Sequence, residues 1–230
     1  MSSTNNPSAL SAQAIGMSQS AATATVANMI LLSILIDKSG SMNHPDKIRG
    51  VIDGQNGLLD AFNGSSDESR DALRISQWLF DHEVKVVNGF VPLDSPDLVR
   101  FDDSRYVPDG GTALYDNIMA AMSATRAYAD QCRQQGVNAK TLVAVITDGQ
   151  DQHSSASVND AKQAIENERQ HGGRLIYVGV GNDNHVHYAE QLGLLPEDIM
   201  TVDATGKEIR RTFEVISAAG LSMIASSIQD

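Results

Sequence analysis

The sequence predicts an α/β fold with a largely parallel central sheet covered by helices. Three observations support this prediction: apolar runs recur along the chain, segments of helical periodicity separate them, and two of the runs end in aspartate. Continuous apolar runs are typical of strands that are buried on both faces. Their alternation with helical segments indicates βα units and therefore a parallel sheet.

The first strand and the first long helix are predicted after residue 28. The apolar run 29–36 stops at Asp37. Apolar residues then recur at 3.6-residue spacing over about 48–62, which predicts a helix. Gly50, Gly54 and Gly57 weaken this helix but would allow it to approach the sheet closely.

A hairpin, a long loop and a second helix are predicted next. The apolar runs 73–80 and 84–87 are separated by only three residues, so the second run is expected to form an antiparallel edge strand. Residues 90–111 are rich in Pro and Gly, and loops of this length are usually functional. In the helix predicted over about 113–135, Cys132 falls on the apolar face and is expected to be a core residue.

The second half of the chain continues the same alternation. Ser157 is a plausible helix N-cap, and Thr205 and Glu208 have capping-box spacing. His185 and His187 alternate like ligands on a strand, but no third ligand lies nearby, so we expect surface histidines. The predicted elements are strands at 142–147, 175–180 and 200–202, with helices at 157–170, around 187–192 and after 205.

Charge and cysteine content exclude several classes of function. The 230 residues include 17 Lys and Arg against 29 Asp and Glu, for a formal charge of −12. Such an excess repels phosphate, so neither nucleic acid nor an anionic membrane is an expected partner. A single cysteine, Cys132, excludes a disulfide framework and a cysteine-based zinc site.

The first 36 residues contain no Asp, Glu, Lys, Arg or His. We expect residues 1–27 to form an uncharged, mobile N-terminal arm, with a helical turn near residues 9–17, ahead of a single domain at 28–230. An interaction tail that orders on a partner is the alternative. There is no basic n-region typical of a secretory signal, and the run 29–36 is far short of the ~20 residues of a membrane span.

Two carboxylates are expected to mark the functional site. Asp37 and Asp148 each follow an apolar strand, and ligands of open parallel sheets bind at the carboxyl ends of strands. If the two strands are neighbours where the strand order reverses, both carboxylates meet in one crevice. Like charges this close require a proton or a cation between them.

Hydroxyl groups near these carboxylates favour a hard cation. Ser39 and Ser41 follow Asp37 at alternate positions, with Gly40 permitting the bend. Thr112 offers a third hydroxyl where the second long helix begins. Without His or Cys ligands, this set suits Mg²⁺, or Mn²⁺ or Ca²⁺, better than zinc.

These residues resemble the metal-ion-dependent adhesion site of von Willebrand factor A domains. The resemblance rests on Asp37-x-Ser39-x-Ser41, on Gly-Gly-Thr ending at Thr112, and on Thr-Asp-Gly around Asp148. It implies a three-layer Rossmann-like fold with sheet order 3-2-1-4-5-6. It also implies that Ser39, Ser41 and Thr112 coordinate the metal directly and that Asp37 and Asp148 hold it directly or through water.

Further residues lie near the rim of this predicted site. Asp116 falls in the first turn of a helix, where the helix dipole favours a carboxylate, and a supporting role beside the metal is the alternative. Lys38 is expected either to offset the local negative charge, to reach a partner, or simply to be exposed. The rim candidates are Lys38, Gly40, Gly111, Asp116 and Asp151.

The resemblance implies a non-enzymatic protein-binding module whose cation bridges to an acidic residue of a protein partner. One alternative is a Mg²⁺-dependent phosphoryl-transfer enzyme with Asp37 as nucleophile, although Ser39 stands where such enzymes carry a second acid. Another is a scaffold that self-assembles through the same site. By analogy with stand-alone bacterial A-domain proteins, we expect a cytoplasmic protein with an ATPase or stress-response partner.

Overall fold

The computed structural model describes residues 6–19, 27–181 and 184–228, which form one six-stranded sheet covered by helices on both faces. The strand order is β3-β2-β1-β4-β5-β6, with β3 antiparallel to its neighbour and the other pairs parallel. The predicted fold class and strand order are confirmed. The strands are β1 Asn28–Asp37, β2 Leu73–Phe80, β3 Val84–Val91, β4 Asn138–Thr147, β5 Arg174–Val180 and β6 Ile199–Val202.

Helices pack on both faces of this sheet. Ser157 caps α5 in a capping box with Asp160, so the predicted N-cap is confirmed. Among the described helices, none combines the length and apolar character that crossing a membrane requires. The helices are α1 Pro7–Gly16, α2 Pro45–Asn63, α3 Asp67–Asp71, α4 Leu114–Gln134, α5 Val158–Gln170, α6 His185–Gln191 and α7 Gly206–Ile228.

Strand β1 divides the core into two layers, because successive side chains point to opposite faces of a sheet. Leu31 and Leu35 pack toward α4, whereas Ile34 and Ile36 pack toward α2 and α7. Cys132 is fully buried on the α4 side, and burial raises the pKa of its thiol to about 11. The prediction that this cysteine is a core residue is therefore confirmed.

The glycines of α2 allow close approach to α7, whereas the predicted approach was to the sheet. A Cβ on Gly50 would lie 2.8 Å from the Gly206 Cα, and one on Gly54 would lie 2.3 Å from the Phe213 ring. Gly57 faces open space. Helical periodicity identifies the buried face of α2, but it does not identify which element covers the glycines.

Part of the predicted arm is packed against the domain. Helix α1 lies against α4 and β3, with Leu10 and Ala14 buried. The Ser18 Oγ accepts from the Phe90 N–H at 2.8 Å, and the Gln19 N–H donates to the Phe90 carbonyl at 3.1 Å. A mobile arm was predicted because its partners in β3 and α4 are distant in sequence and leave no local signal. The remainder of the predicted arm, residues 1–5 and 20–26, lies outside the described residues.

Gly89→Ala is expected to displace α1 without unfolding the domain. A Cβ on Gly89 would lie 2.2 Å from the Ala14 carbonyl oxygen and 2.6 Å from the Ser18 nitrogen, and main-chain atoms cannot rotate away. Hydrogen exchange of residues 6–19 should accelerate at least about tenfold. Gly16→Ala is the control, because a Cβ there meets nothing within 4 Å. Unchanged exchange in Gly89→Ala would contradict this account of the docking.

The expectation that His185 is a surface residue is wrong. Its side chain is fully buried under α6, where Nε2–H donates to the Val180 carbonyl at 3.2 Å and Nδ1 lies 3.3 Å from the Tyr177 hydroxyl. Gly179 leaves the room for the imidazole, since a Cβ there would lie 2.2 Å from the ring. The alternation of His185 and His187 was interpreted as that of a strand, but both residues lie in the first turn of the short helix α6.

Candidate metal centre

A tight turn after β1 brings two hydroxyl groups together. The Asp37 Oδ1 accepts from the Ser39 N–H at 2.7 Å, which bends the chain directly after the strand. Gly40–Met42 then form a single 3₁₀ turn. As a result, the hydroxyl oxygens of Ser39 and Ser41 lie 3.1 Å apart.

The two predicted carboxylates meet because β1 and β4 are neighbouring parallel strands, paired at Ile36 and Ile146. The Thr147 hydroxyl donates to the Asp37 Oδ2 at 2.5 Å. Across the same gap, the Ser41 hydroxyl donates to the Asp148 Oδ1 at 2.5 Å. Both aspartates thus lie at the carboxyl edge of the sheet, as the sequence analysis predicted.

Main-chain hydrogen bonds fix the loop that carries Thr112. The Gly40 N–H donates to the Gly110 carbonyl at 2.8 Å, and the Asp109 N–H donates to the Lys38 carbonyl at 2.7 Å. The Ala113 N–H donates to the Asp81 carbonyl at 2.6 Å, which ties the same loop to the β2–β3 hairpin. Gly110 has φ +79°, a conformation that favours glycine.

Four of the five predicted ligands line one open cavity of about 400 Å³. Gly149 leaves space beside the hydroxyls that line this cavity. A Cβ on Gly149 would lie 3.7 Å from the Thr112 Oγ1 and 4.0 Å from the Ser41 Oγ. The four are Ser39, Ser41, Thr112 and Asp148, and Gly40 and Gly111 belong to the turns that present them.

Asp37, the fifth predicted ligand, lies behind the cavity. Its side chain is fully buried, and each of its oxygens accepts a hydrogen bond from the protein. Burial raises the pKa of this carboxyl to about 6, although the hydrogen bonds from Ser39 and Thr147 oppose the increase. The nearby Asp148 raises the same pKa further. Asp37 is therefore placed to supply charge and to orient Ser39 rather than to contact a ligand directly.

The cavity offers oxygen donors that fit a hard divalent cation. An octahedral ion with ligands at about 2.1 Å holds adjacent oxygens about 3.0 Å apart, close to the 3.1 Å between the hydroxyls of Ser39 and Ser41. Within the described residues, no group of three or more His, Cys, Asp or Glu side chains could hold a metal. The donor set is thus three hydroxyls with one carboxylate beside them, and this set suits Mg²⁺ or Mn²⁺.

Asp116 and Asp151 position a loop and do not line the cavity. Asp116 is fully buried and accepts from the N–H groups of Ser155 and Ala156, each at 2.9 Å. Asp151 accepts from the Tyr115 N–H at 3.1 Å, and burial raises the pKa of its carboxyl. Together they fasten the loop after β4 to the start of α4. A supporting role beside the metal stays a prediction for Asp116.

Lys38 and Lys47, the two lysines beside the cavity, have different partners. Lys38 forms an ion pair with Asp81 of the hairpin. Lys47, in the first turn of α2, donates to the Asp148 Oδ2 at 2.5 Å. Lys47 was not predicted from the sequence, because it lies among the polar residues at a helix start and belongs to none of the three motifs.

Tyr106 was also missed, and Thr147 was included only as part of the Thr-Asp-Gly motif, without a role of its own. Thr147 bonds the Asp37 side chain, and the buried Tyr106 hydroxyl donates to the Asp37 carbonyl at 2.6 Å. Burial raises the pKa of Tyr106 well above its usual value. Thr147 directly precedes Asp148, a position that could have identified it. Tyr106 gives no signal beyond its place in the long loop.

A family model of the von Willebrand factor type A domain matches residues 32–214 of the chain. No curated protein matches the sequence. Solved structures with the same fold include proximal thread matrix protein 1 from the mussel byssus, at 16% identity and a TM-score of 0.61. That alignment covers 85% of this chain and 47% of the mussel protein, so this chain spans about half the length of that relative.

Two further structures extend the comparison. The PilB minor pilin from Streptococcus sanguinis is 13% identical, with a TM-score of 0.62 over 87% of this chain and 63% of the pilin. The manganese-loaded TRAP protein of Plasmodium vivax is 24% identical, with a TM-score of 0.53 over 76% of this chain and 69% of that protein. At these identities the structures show a shared fold.

Proposed function

The chain belongs to the von Willebrand factor type A domain family, and from this premise we propose that it is a metal-dependent protein-binding module. In this proposal, Ser39, Ser41 and Thr112 hold a divalent cation directly, while Asp148 supports it from beside the hydroxyls and Asp37 from behind the cavity. The cation, when bound, supplies an open coordination position for a carboxylate of a protein partner. The observation that carries the proposal is the convergence of the three hydroxyls and Asp148 on one open cavity.

The chain's own residues prepare this site. The hydrogen bonds from the Ser39 N–H and the Thr147 hydroxyl hold the Asp37 carboxylate in place, and the Ser41 hydroxyl is oriented by Asp148. Because the Ser41 hydroxyl donates its proton to Asp148, its lone pairs remain available for a cation. Thr112 completes the set from the opposite loop.

We propose Mg²⁺ as the cation, with Mn²⁺ or Ca²⁺ as alternatives. The donor chemistry supports this choice. Among the structural neighbours, the Plasmodium protein is manganese-loaded, and a mussel protein structure has zinc in its adhesion-site motif, at 16% identity and a TM-score of 0.56 over 85% of this chain and 46% of that one. The cytoplasmic location and the ATPase or stress-response partner stay predictions from the resemblance.

A non-catalytic function is part of the proposal. The burial of Asp37 supports it, since both carboxylate oxygens accept hydrogen bonds from within the protein and the side chain has no exposed surface. A nucleophile must reach its substrate at an open position. Generic phosphatase substrates incubated with Mg²⁺ are expected to remain intact, and turnover would favour the phosphoryl-transfer alternative.

Thr112→Val is expected to weaken Mn²⁺ binding at least about tenfold, because it removes one hydroxyl ligand while keeping the side-chain shape. Isothermal titration calorimetry with Mn²⁺ and with Mg²⁺ measures the effect. Thr201→Val, on the exposed surface of the edge strand β6, is the matched control and should bind as the wild type does. Equal affinities for all three proteins would contradict the proposed ligand set.

Partner binding is expected to need both the cation and Asp37. A pull-down in Mg²⁺ should retain proteins that are absent in EDTA and absent with Asp37→Ala. Circular dichroism of Asp37→Ala should show an intact fold. Retention that survives both changes would overturn the metal-dependent mechanism, and recovery of the same chain alone would favour the self-assembling alternative.

A further inference from the structure

Lys47 places a positive charge at the candidate metal centre. Its Nζ donates to the Asp148 Oδ2 at 2.5 Å and to the Ser41 carbonyl at 3.1 Å. The Asp148 side chain is 1% exposed and that of Lys47 is 16% exposed, so water screens this pair only weakly. Lys47 therefore occupies the carboxylate oxygen that Asp148 would otherwise offer to a cation.

Both oxygens of Asp148 are engaged in different ways. Oδ1 accepts from the Ser41 hydroxyl, which belongs to the donor set, whereas Oδ2 accepts from the Lys47 ammonium. A serine that binds a cation through its lone pairs can keep donating its proton to Oδ1. The Lys47 contact is thus compatible with an occupied site, and it keeps Asp148 in a supporting position.

The charge balance shows what this ammonium does. Asp37 and Asp148 together with Lys47 leave the site with one net negative charge, and a divalent cation would bring it to one net positive charge. Without Lys47, the loaded site would be neutral. A positive site attracts a carboxylate, whereas the same ammonium repels the incoming cation.

On the basis of the proposed function, we infer that Lys47 is a built-in counter-ion that weakens cation binding and strengthens the binding of an acidic ligand to the loaded site. The inference concerns the regulation of the site and the charge of its ligand. Removal of the Lys47 charge must therefore strengthen cation binding and weaken the binding of an acidic ligand to the loaded site. A residue that merely stabilises the turn would instead weaken both.

The first measurement is the affinity for Mn²⁺ and Mg²⁺ by isothermal titration calorimetry at constant ionic strength. Lys47→Met is expected to bind about tenfold more tightly than the wild type. Lys47→Arg keeps the charge and should stay within about twofold of the wild type. Arg49→Met removes one positive charge from the same helix, where the side chain is 68% exposed and pairs with Asp53, and it should also stay within about twofold.

The second measurement is the affinity of the Mg²⁺-saturated proteins for a capped Ala-Glu-Ala tripeptide, followed by nuclear magnetic resonance titration. Lys47→Met is expected to bind this peptide about fivefold more weakly than the wild type does. Capped Ala-Gln-Ala, which lacks the charge, should bind none of the proteins. Thermal melts of the metal-free variants establish that each is folded.

The outcomes separate this inference from the proposed function. Unchanged or weaker cation binding in Lys47→Met, with a wild type that binds the cation, overturns the role of Lys47 and leaves the metal centre standing. If Lys47→Met binds the cation and the wild type does not, the result supports the proposed role of Lys47. If neither protein binds Mn²⁺ or Mg²⁺, the metal centre and the role of Lys47 both fail.

Discussion

Asp37→Asn is expected to abolish binding of a divalent cation and, at the same time, to stabilise the metal-free protein. The carboxylate is fully buried, and burial raises its pKa to about 6 from the usual 3.8. The metal-free fold therefore bears the cost of a buried charge at neutral pH. Asparagine keeps the shape and an acceptor for the Ser39 N–H, while its amide can donate to the Thr147 oxygen.

The pH dependence of this stabilisation follows from the direction of the shift. Because the pKa of Asp37 is higher in the folded state, the folded state binds more protons between about pH 4 and pH 6. The free energy of unfolding of the wild type should then fall as the pH rises through that window. A shift of about two pKa units corresponds to about 3 kcal/mol.

Denaturant unfolding in EDTA measures the effect. At pH 7.5, the free energy of unfolding of Asp37→Asn should be about 1–3 kcal/mol higher than that of the wild type, which is the order of the cost of the buried Asp37 charge. This difference should vanish near pH 4. In Mn²⁺ the wild type should gain stability and the variant should not. A variant that is less stable than the wild type at pH 7.5 would show that burial of Asp37 carries no such cost.

Asp116→Asn is the matched control for this substitution. Asp116 is equally buried, but its two oxygens accept from the main-chain N–H groups of Ser155 and Ala156. An amide can replace only one of those acceptors, so one of the two main-chain N–H groups loses its acceptor and faces the amide NH₂ group. The expected result is a loss of about 1–3 kcal/mol of stability, opposite in sign to the effect at Asp37.

Gly50→Ala is expected to lower the free energy of unfolding by about 2–3 kcal/mol, because the added methyl group overpacks the interface of α2 and α7. The new Cβ would lie 2.8 Å from the Gly206 Cα and 2.9 Å from the Gly206 carbonyl oxygen. These are main-chain atoms, so relief requires that the two helices separate. Thermal and denaturant unfolding measure the loss.

Gly57→Ala on the same helix is the control with the opposite sign. Its Cβ would meet nothing within 4 Å, and alanine favours the helix by about 0.5–1 kcal/mol over glycine. The free energy of unfolding should therefore rise. Equal destabilisation by Gly50→Ala and Gly57→Ala would contradict the explanation that packing against α7 matters at Gly50 and helix propensity matters at Gly57.

Hydrophobic patterning predicted the sheet well because its central strands are buried on both faces. The run 29–36 became β1, and the run ending before Asp148 became the end of β4. Their pairing brings Asp37 and Asp148 to one edge, so the site followed from the strand ends. The docking of helix α1 was not predicted, because it depends on contacts with Phe90 and α4, which are far away in sequence.

The finer structure of the site depends on contacts that no pattern contains. The sequence placed Asp37 among the ligands but could not show that Thr147 and Ser39 occupy its oxygens. Nor could it place Lys47, since an isolated lysine at a helix start has no periodic signal. The motifs identify residue types, whereas tertiary packing decides which of the predicted ligands are buried and which line the cavity.

The loops around the cavity are joined to one another through main-chain atoms. The bonds from Gly40 to Gly110, from Asp109 to Lys38 and from Ala113 to Asp81 use N–H and carbonyl groups. The exposed side chain of Asp109 can therefore be exchanged while these bonds persist. Exposed rim positions of this kind are thus places where recognition of different ligands can be engineered, or can evolve, while the main-chain framework of the proposed metal site stays in place.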